Sequence, residues 1–252
     1  MVNNVKSYLY RFAKSSSSIV CALLLLTLHF FPPVLSFLFL TIMGNDISSF
    51  DSVNIFEEFL GQFKLITLIL LIFTTVFFSN DEKNGFIKNM IPVQNKRYNI
   101  FISRAVFILI YLTAAVIFSL IFFSISYKLF FHGTAQFEIT SGLIAEYGIC
   151  MLISYAVLLT FAMIGVAAGG TALPLTVGIL YILNFFSLAI VFVNVLVRKI
   201  TGFNAFNANC VLLPNLYDNV NYTLFQRLLV PALYIVISAV TAAFIFEKRD
   251  IR

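Results

Sequence analysis

The sequence predicts an all-α, polytopic membrane protein with six transmembrane helices. Of its 252 residues, 61% are hydrophobic and only 11% are charged, and the mean hydropathy is +0.99. A globular domain is usually about half apolar and about a quarter charged, so this chain has too little polar surface to cover a soluble core. Its apolar residues also cluster in runs of the length that crosses a bilayer. We therefore expect residues 1–252 to form a single transmembrane domain in lipid.

The expected spans are Ile19–Met43, Phe59–Phe78, Ala105–Phe131, Tyr147–Ala167, Thr171–Val197 and Leu228–Phe246. In the second span the uninterrupted run is only Leu65–Phe78, so we extend it back to Phe59 and expect Lys64 to snorkel from its outer end. His29, Pro32 and Pro33 interrupt the first span. We expect His29 to hydrogen-bond a neighbouring helix rather than to relay protons.

The distribution of basic residues predicts the orientation, because Lys and Arg are enriched in cytoplasmic loops. An even number of spans places both termini on one side. Most of the 16 basic residues fall on that side: Lys6, Arg11, Lys14, Lys83, Lys88, Lys96, Arg97, Arg104, Lys248, Arg249 and Arg252. The other side carries Lys64, Lys128, Arg198, Lys199 and Arg227, with the acids Asp46, Asp51, Glu57 and Glu58. We therefore expect both termini to be cytoplasmic.

Residues 1–17 predict an amphipathic helix in the inner membrane interface. Its apolar face contains Val2, Val5, Tyr8, Leu9, Phe12 and Ala13, and its polar face contains Asn3, Asn4, Ser7, Arg11 and Lys14. No small-x-small cleavage site follows, so we do not expect a signal peptide. Two interpretations stay open: a plain membrane anchor, or an anchor that also contacts a cytoplasmic partner.

Residues 79–104 form an expected cytoplasmic loop that contains a short helix. The loop begins with Ser79, Asn80 and Asp81, which are helix-capping residue types, and Pro92 cannot continue a helix. We expect the helix to run from Glu82 to Ile91. Its apolar side consists of Phe86, Ile87, Met90 and Ile91. That side must be covered either by the bundle itself or by a soluble partner.

The stretch EKNGFIKNMIPVQNKRYNIFISR resembles the cytoplasmic loop of ABC-2 type ABC transporter permease subunits. The resemblance rests on Glu82, Gly85, Pro92, Arg97 and Arg104, in the order acid, glycine, short helix, proline and basic residues. The ending FEKRDIR, the six spans and the amphipathic start are also similar to that family. The chain departs from the family at Phe86, where a small hydroxyl residue is common.

This resemblance implies the permease of an ATP-driven exporter in a bacterial cell membrane. The helix in residues 79–104 would be a coupling helix seated in a separate ATPase subunit, and two permease subunits, identical or different, would form the pathway. The implied ATPase contacts are Glu82, Gly85, Phe86, Ile87, Lys88, Asn89, Met90 and Ile91. Because the chain has no GxxxxGK[ST] loop, we expect ATP and Mg²⁺ on the partner and no cofactor in this chain. The turn Ala167–Gly170 would offer a second, smaller contact.

Other features are weaker signals. Gly165 and Gly169 form a GxxxG pair, which we interpret as local packing rather than a dimer seam. Residues 198–227 predict a partly re-entrant outer hairpin, similar to that of ABC-2 permeases, that either gates the exit or seals the outer face. Cys21, Cys150 and Cys210 are widely spaced, so we expect packing roles and neither a disulfide framework nor a metal site.

The sequence fits two other function classes less well. A membrane-embedded enzyme needs grouped ionisable residues, and this chain has only 2 histidines and no acid pair within a span. The alternative function is a secondary transporter or channel without an ATPase partner, although the expected spans lack matching broken helices. Nothing in the sequence indicates a nucleic-acid partner.

Polar residues scattered in apolar spans are candidates for a translocation path: Thr41, Thr67, Thr74, Thr75, Asn184 and Asn194. These groups could instead join neighbouring helices. Walls of mainly Leu, Ile, Val and Phe suit an amphipathic or lipid-like cargo. The small size and the absence of a large outer domain resemble permeases that export amphipathic or antimicrobial peptides, including lantibiotic immunity systems and the phenol-soluble modulin exporter.

Overall fold

The computed structural model describes residues 2–42, 53–84, 98–131, 135–187, 190–192, 195, 199, 212–217 and 222–248. Within these residues the chain is helical apart from one two-residue parallel β pairing. The elements are α1 (Val2–Lys14), α2 (Ser16–Ile42), β1 (Val53–Asn54), α3 (Ile55–Lys83), α4 (Tyr98–Phe130), β2 (Ala135–Gln136), α5 (Ser141–Ala168), α6 (Ala172–Ile182), a 3₁₀ helix (Leu213–Tyr217) and α7 (Leu224–Lys248).

Within the described residues, α2, α3, α4, α5 and α7 are each long and apolar enough to cross a membrane. A sixth crossing forms if α6 and the helical piece Phe185–Phe192, which meet at 67°, count as one broken span. The chain is therefore a multi-pass membrane protein, as its composition predicts. The predicted fifth span, Thr171–Val197, corresponds to this bent pair.

The helix α5 lies at the centre of the bundle and packs against α3, α4, α6 and α7. Much of its length is buried, whereas α2 and α7 leave large apolar side chains exposed. Exposed apolar side chains on a spanning helix are suited to lipid contact. At the end that we call proximal, α1 lies beside the last turns of α3 and the first turns of α4. At the opposite, distal end, α3, α5 and α7 begin.

The predicted loop 79–104 is wrong at both of its boundaries. The helix α3 continues through Ser79 and Asp81 to Lys83, so these residues do not cap a new helix. Asp81 can stay inside the bundle because Arg11 pairs with its buried carboxylate. At the other boundary, α4 begins at Tyr98 and contains Arg104, which is buried. The predicted helix beyond Asn84 falls in residues 85–97, outside the described part of the chain.

His29 does not make the side-chain hydrogen bond that we expected. Its ring is buried with its centroid 5.7 Å from that of Phe59 and 5.8 Å from that of Phe123, and neither ring nitrogen bonds to a described residue. Its backbone carbonyl instead accepts a 3.0 Å hydrogen bond from Ser126 Oγ. Because Pro33 has no N–H, this carbonyl lacks its usual donor four residues along the helix. Ser126 on α4 supplies that donor, and α2 continues through both prolines to Ile42.

The two described cysteines, Cys21 and Cys150, are buried free thiols. Cys21 Sγ lies 2.8 Å from the Tyr111 hydroxyl. Cys210 lies outside the described residues. The GxxxG pair is split, because Gly169 ends α5 with φ 66° while Gly165 remains helical. A Cβ built on Gly165 would lie 3.6 Å from Pro174 Cγ, which places Gly165 at the contact between α5 and α6.

Gly178 allows α6 to lie close to α3 and α5. A Cβ built there would lie 2.9 Å from Leu71 Cδ2 and 3.2 Å from Phe161 Cδ1. By contrast, a Cβ on Gly148 of α5 meets no atom within 4 Å. Gly178 and Gly148 therefore form a matched pair of helical glycines, one in close contact and one in open space.

We expect Gly178→Ala to melt at a lower temperature than Gly148→Ala. Both changes gain about 1 kcal/mol of helix propensity. Only Gly178→Ala also incurs overpacking, which costs about 1–3 kcal/mol. Thermal unfolding in detergent, followed with a dye that fluoresces on reaction with the buried thiols of Cys21 and Cys150, measures the difference. If Gly178→Ala gained as much stability as Gly148→Ala, the close approach of α6 to α3 would be wrong.

Candidate functional site

A polar cavity of about 860 Å³ opens at the distal end of the bundle, and we call it the polar cavity. It lies between the first turns of α3 and α5, residues 184–187 just after α6, and the 3₁₀ helix. Its main polar and charged lining residues are Glu57, Lys64, Glu146, Asn184, Asn215 and Tyr217. A concave site in which a few polar groups converge is the usual form of a ligand-binding site.

The helix α3 supplies one wall through Glu57, Leu60, Gly61 and Lys64. These positions are spaced i, i+3, i+4 and i+7, so they share one face of the helix. Neither Glu57 nor Lys64 forms an ion pair with any residue of the described chain. Gly61 contributes space, since a Cβ built there meets no atom within 4 Å. This wall therefore presents one free carboxylate and one free ammonium beside an open volume.

An ion pair joins the wall formed by α5 to the start of α7. Two guanidinium nitrogens of Arg227 lie 2.8 and 2.7 Å from the two carboxylate oxygens of Glu146. Arg227 Nε also donates a 2.9 Å hydrogen bond to the Leu216 carbonyl in the 3₁₀ helix. The Arg227 side chain is only 2% exposed, whereas that of Glu146 is 24% exposed on the cavity side. Arg227 thus ties α5, α7 and the 3₁₀ helix together.

Tyr217, which lines the polar cavity, joins two buried hydroxyl groups beneath it. The Tyr217 hydroxyl lies 3.0 Å from Thr67 Oγ1 and 2.9 Å from Ser154 Oγ. Thr67 and Ser154 also donate to carbonyls four residues back in their own helices. At 1.5 Å per residue, Thr67 lies about 18 Å along α3 from Ile55. The 3₁₀ helix therefore reaches deep into the bundle, and Tyr217 fixes it to both α3 and α5.

Asn184 lies at the break between α6 and the helical piece Phe185–Phe192. Its φ of 62° is in the left-handed region, which a residue other than glycine adopts at a cost in energy. Its side-chain Oδ1 is buried and accepts no hydrogen bond from the described part of the chain. Strained backbone and unsatisfied polar atoms both concentrate at functional sites. Asn184 therefore combines a strained backbone with a buried, unsatisfied acceptor at a residue that lines the polar cavity.

A second, apolar cavity of about 400 Å³ lies between α5, α6 and α7, and we call it the apolar cavity. Val157, Phe161, Ile164, Val177, Phe186 and Leu213 are among its lining residues. On α5 these residues follow Glu146 and Cys150, so the apolar cavity is nearer the middle of the bundle. The two cavities share wall segments, because Phe186 and Leu213 line the apolar one while Asn184 and Pro214 line the polar one.

The structure brings only part of the predicted path to the cavities. Asn184 lines the polar cavity, and Thr67 does not line it but lies 3.0 Å, Oγ1 to hydroxyl, from Tyr217, which does. Thr41 is exposed and Thr74 is buried, and each donates to a carbonyl of its own helix. Thr75 is buried, with no hydrogen-bond partner for Oγ1 among the described residues. Asn194 lies outside the described residues.

Sequence reasoning missed the charged residues of the polar cavity. Lys64 was interpreted as a snorkelling side chain, Glu57 and Arg227 only as outer charges, and Glu146 was not singled out. The signal available was the helical spacing of Glu57, Gly61 and Lys64 at one end of an otherwise apolar span. Glu146 and Arg227 are 81 positions apart in the sequence, and no local pattern predicts that they pair.

At the proximal end, a second group of charges fixes α1 to the bundle. Arg11 pairs with Asp81, and the Arg104 guanidinium hydrogen-bonds to the Tyr8 hydroxyl. Arg104 also lies 4.8 Å from the ring centroid of Phe78. Burial raises the pKa of Tyr8, while Arg104 opposes that shift. The apolar face of α1 thus packs on aromatic rings of α3 and α4, including Phe77 and Phe107.

Of the predicted ATPase contacts, only Glu82 lies in a described element, the last turn of α3. Gly85, Phe86, Ile87, Lys88, Asn89, Met90 and Ile91 lie outside the described residues. The last described residue before them, Asn84, donates its N–H to the Asn80 carbonyl at 2.9 Å. The segment thus starts directly from the helix that carries Asp81. Within the described residues, no group of three His, Cys, Asp or Glu side chains could hold a metal ion.

Comparison with known proteins identifies one family. No curated protein matches the chain. Residues 7–252, nearly the whole chain, match the family described as "Protein of unknown function (DUF2705)". The chain therefore belongs to the DUF2705 family.

Proposed function

We propose that this protein is the transmembrane subunit of an ATP-driven ABC exporter in a bacterial cell membrane, coupled to a separate ATPase subunit. Both termini and residues 85–97 face the cytoplasm in this proposal. ATP and Mg²⁺ bind the ATPase, and a second permease subunit, identical or different, completes the pathway. The cargo is an amphipathic or antimicrobial peptide.

The observation that carries the proposal is the attachment of α1 to the end of α3. Arg11 binds Asp81 only a few residues before the segment whose sequence resembles a coupling helix. A displacement of that segment by an ATPase would therefore act on α3 and on α1 together. Since α3 also lines the polar cavity, the same helix links the proximal end to the candidate site. This continuity supports mechanical coupling between nucleotide hydrolysis and the distal cavity.

The cavities support an amphipathic cargo. The polar cavity offers carboxylate, ammonium, amide and hydroxyl groups, whereas the apolar cavity is lined almost entirely by hydrocarbon. A cargo with one polar and one apolar face could leave water without losing all of its polar interactions. The arrangement therefore fits an amphipathic peptide better than a small inorganic ion.

The broken helix at Asn184 favours a second candidate, a secondary transporter without an ATPase partner. Discontinuous helices beside a substrate-binding cavity are typical of such transporters. The two functions differ in their partner, so isolation of the complex from native membranes distinguishes them. Copurification of ATPase activity supports the exporter, and its absence under conditions that preserve other ABC complexes supports the secondary transporter.

We expect Phe86→Asp and Met90→Asp each to uncouple the exporter. A new charge on an apolar contact costs several kcal/mol when the contact is dry, on the order given for buried charges. Asn95→Asp is the matched control, because it adds the same charge at a polar position of the same segment that is not among the implied ATPase contacts. The measurement is ATPase copurification and peptide-stimulated ATPase activity in reconstituted vesicles. Full association and full stimulation in both Phe86→Asp and Met90→Asp would show that the segment is not a coupling helix.

A further inference from the structure

We propose that the polar and apolar cavities together bind one phospholipid with a zwitterionic, ammonium-bearing headgroup. The headgroup occupies the polar cavity and an acyl chain occupies the apolar cavity. The inference goes beyond the transport proposal and does not depend on an ATPase partner. It rests on the order of charges along α3, on the unpaired carboxylate of Glu57 and on the depth of the two cavities.

The charges along α3 match the order of charges in such a lipid. Glu57 is near the start of α3, and Lys64 is two turns deeper, about 10 Å along the axis. A phosphoethanolamine headgroup carries its ammonium outermost and its phosphate next to the glycerol. The ammonium therefore meets the Glu57 carboxylate while the phosphate meets Lys64, and both pairs are charge-assisted hydrogen bonds. A lipid with the opposite order of charges would place like charges together.

Glu57 adds a requirement for an N–H donor. Its carboxylate forms no ion pair with a residue of the described chain, and Glu57 lines the polar cavity. A primary ammonium can donate a charge-assisted hydrogen bond to this carboxylate, whereas the trimethylammonium of a choline headgroup has no N–H. The site should therefore distinguish ethanolamine from choline.

The position of the apolar cavity suits the acyl chain. On α5, the residues lining the polar cavity end at Cys150, and those lining the apolar cavity begin at Val157, about 10 Å deeper. In a bilayer the acyl chains likewise lie below the headgroup. The 3₁₀ helix separates the two environments, with Leu213 on the apolar side and Asn215 on the polar side. An amphiphile with one head and one buried chain fits both volumes at once.

Native mass spectrometry of the delipidated full-length protein tests the proposal. We expect one-to-one adducts with phosphatidylethanolamine and at least about tenfold weaker binding of phosphatidylcholine and phosphatidylglycerol, the loss expected for one charge-assisted hydrogen bond. Diacylglycerol and soluble phosphoethanolamine test the two halves separately, and each should bind more weakly than the intact lipid. Equal binding of phosphatidylglycerol would overturn the proposal, as would full affinity for soluble phosphoethanolamine.

Variants locate the site. Gly61→Phe should block binding because it fills the polar cavity, whereas Gly148→Phe adds the same ring to an open position that does not line the cavity. Lys64→Gln should weaken binding of phosphatidylethanolamine about tenfold, and thiol-dye melting confirms that each variant is folded. If Gly61→Phe, folded, bound the lipid normally, the site would be elsewhere. A cationic amphipathic peptide that displaces the lipid from the wild type should bind Gly61→Phe more weakly. Equal binding of that peptide to both proteins would also overturn the assignment.

Discussion

Glu146→Gln is expected to lower the free energy of unfolding by about 3 kcal/mol, the lower end of the range for removing one partner of a buried ion pair. The lower end applies because the Glu146 side chain is 24% exposed, so water in the cavity screens part of the interaction. Arg227, only 2% exposed, would keep its charge and lose its carboxylate. The distal end should loosen first, because Arg227 holds the 3₁₀ helix through the Leu216 carbonyl.

Thermal unfolding followed with the thiol-reactive dye measures this loss of stability, because Cys150 lies one turn after Glu146 on α5 and its thiol becomes accessible when this region unfolds. Glu138→Gln removes an exposed carboxylate nearby and serves as the control, with an expected change close to zero. Combining Glu146→Gln with Arg227→Met should recover much of the loss, since the double variant no longer buries an uncompensated charge. If Glu146→Gln and Glu138→Gln had the same melting temperature, the ion pair of Glu146 with Arg227 would contribute nothing to the stability of the fold.

Asp81→Asn is expected to release α1 from the bundle while leaving the spanning helices folded. The change preserves the shape of the side chain but removes the carboxylate that pairs with Arg11. Asp81 is only 1% exposed, so solvent cannot replace the lost interaction there. We expect hydrogen exchange across α1 to rise by at least about tenfold, corresponding to a loss of about 1.4 kcal/mol.

Exchange measured by mass spectrometry in lipid nanodiscs tests this release peptide by peptide. Asn80→Ala, at an exposed neighbouring position, should leave the exchange of α1 unchanged. The pair Arg11→Leu with Asp81→Leu should restore protection, because apolar side chains of similar size can replace a buried ion pair. Unchanged protection of α1 in Asp81→Asn would mean that the remaining contacts of α1, including the aromatic contacts of Tyr8 and Phe12, are enough to hold this helix.

The spanning helices could be predicted because each depends on local composition. A run of about 20 apolar residues is a sufficient signal for a span, and no distant residue is needed to interpret it. The boundary at Asp81 could not be predicted in this way. Its carboxylate stays in the helix because Arg11, 70 positions away, neutralises it. Local sequence could only indicate that Ser, Asn and Asp are capping residues.

The candidate site was predicted less completely, for the same reason. Asn184 was singled out as a polar residue in an apolar span, but neither glycine nor proline marks the break that places its side chain at the cavity. Glu146 and Arg227 become recognisable only when α5 and α7 are seen side by side. The described residues that line the polar cavity come from segments far apart in the sequence, and hydrophobicity alone does not specify how those segments meet.

The helix α4 has 33 residues, and at 1.5 Å per residue it is about 50 Å long. The hydrocarbon core of a bilayer is about 30 Å thick, so α4 is about 20 Å longer than a perpendicular crossing requires. Arg104 lies in the second turn of α4, in the part that can extend beyond the hydrocarbon into the headgroup region, where burying a charge costs less. A thicker bilayer would draw Arg104 and Asp81 toward the acyl chains and strain the attachment of α1. We therefore expect membrane thickness to affect the attachment of α1 through the excess length of α4.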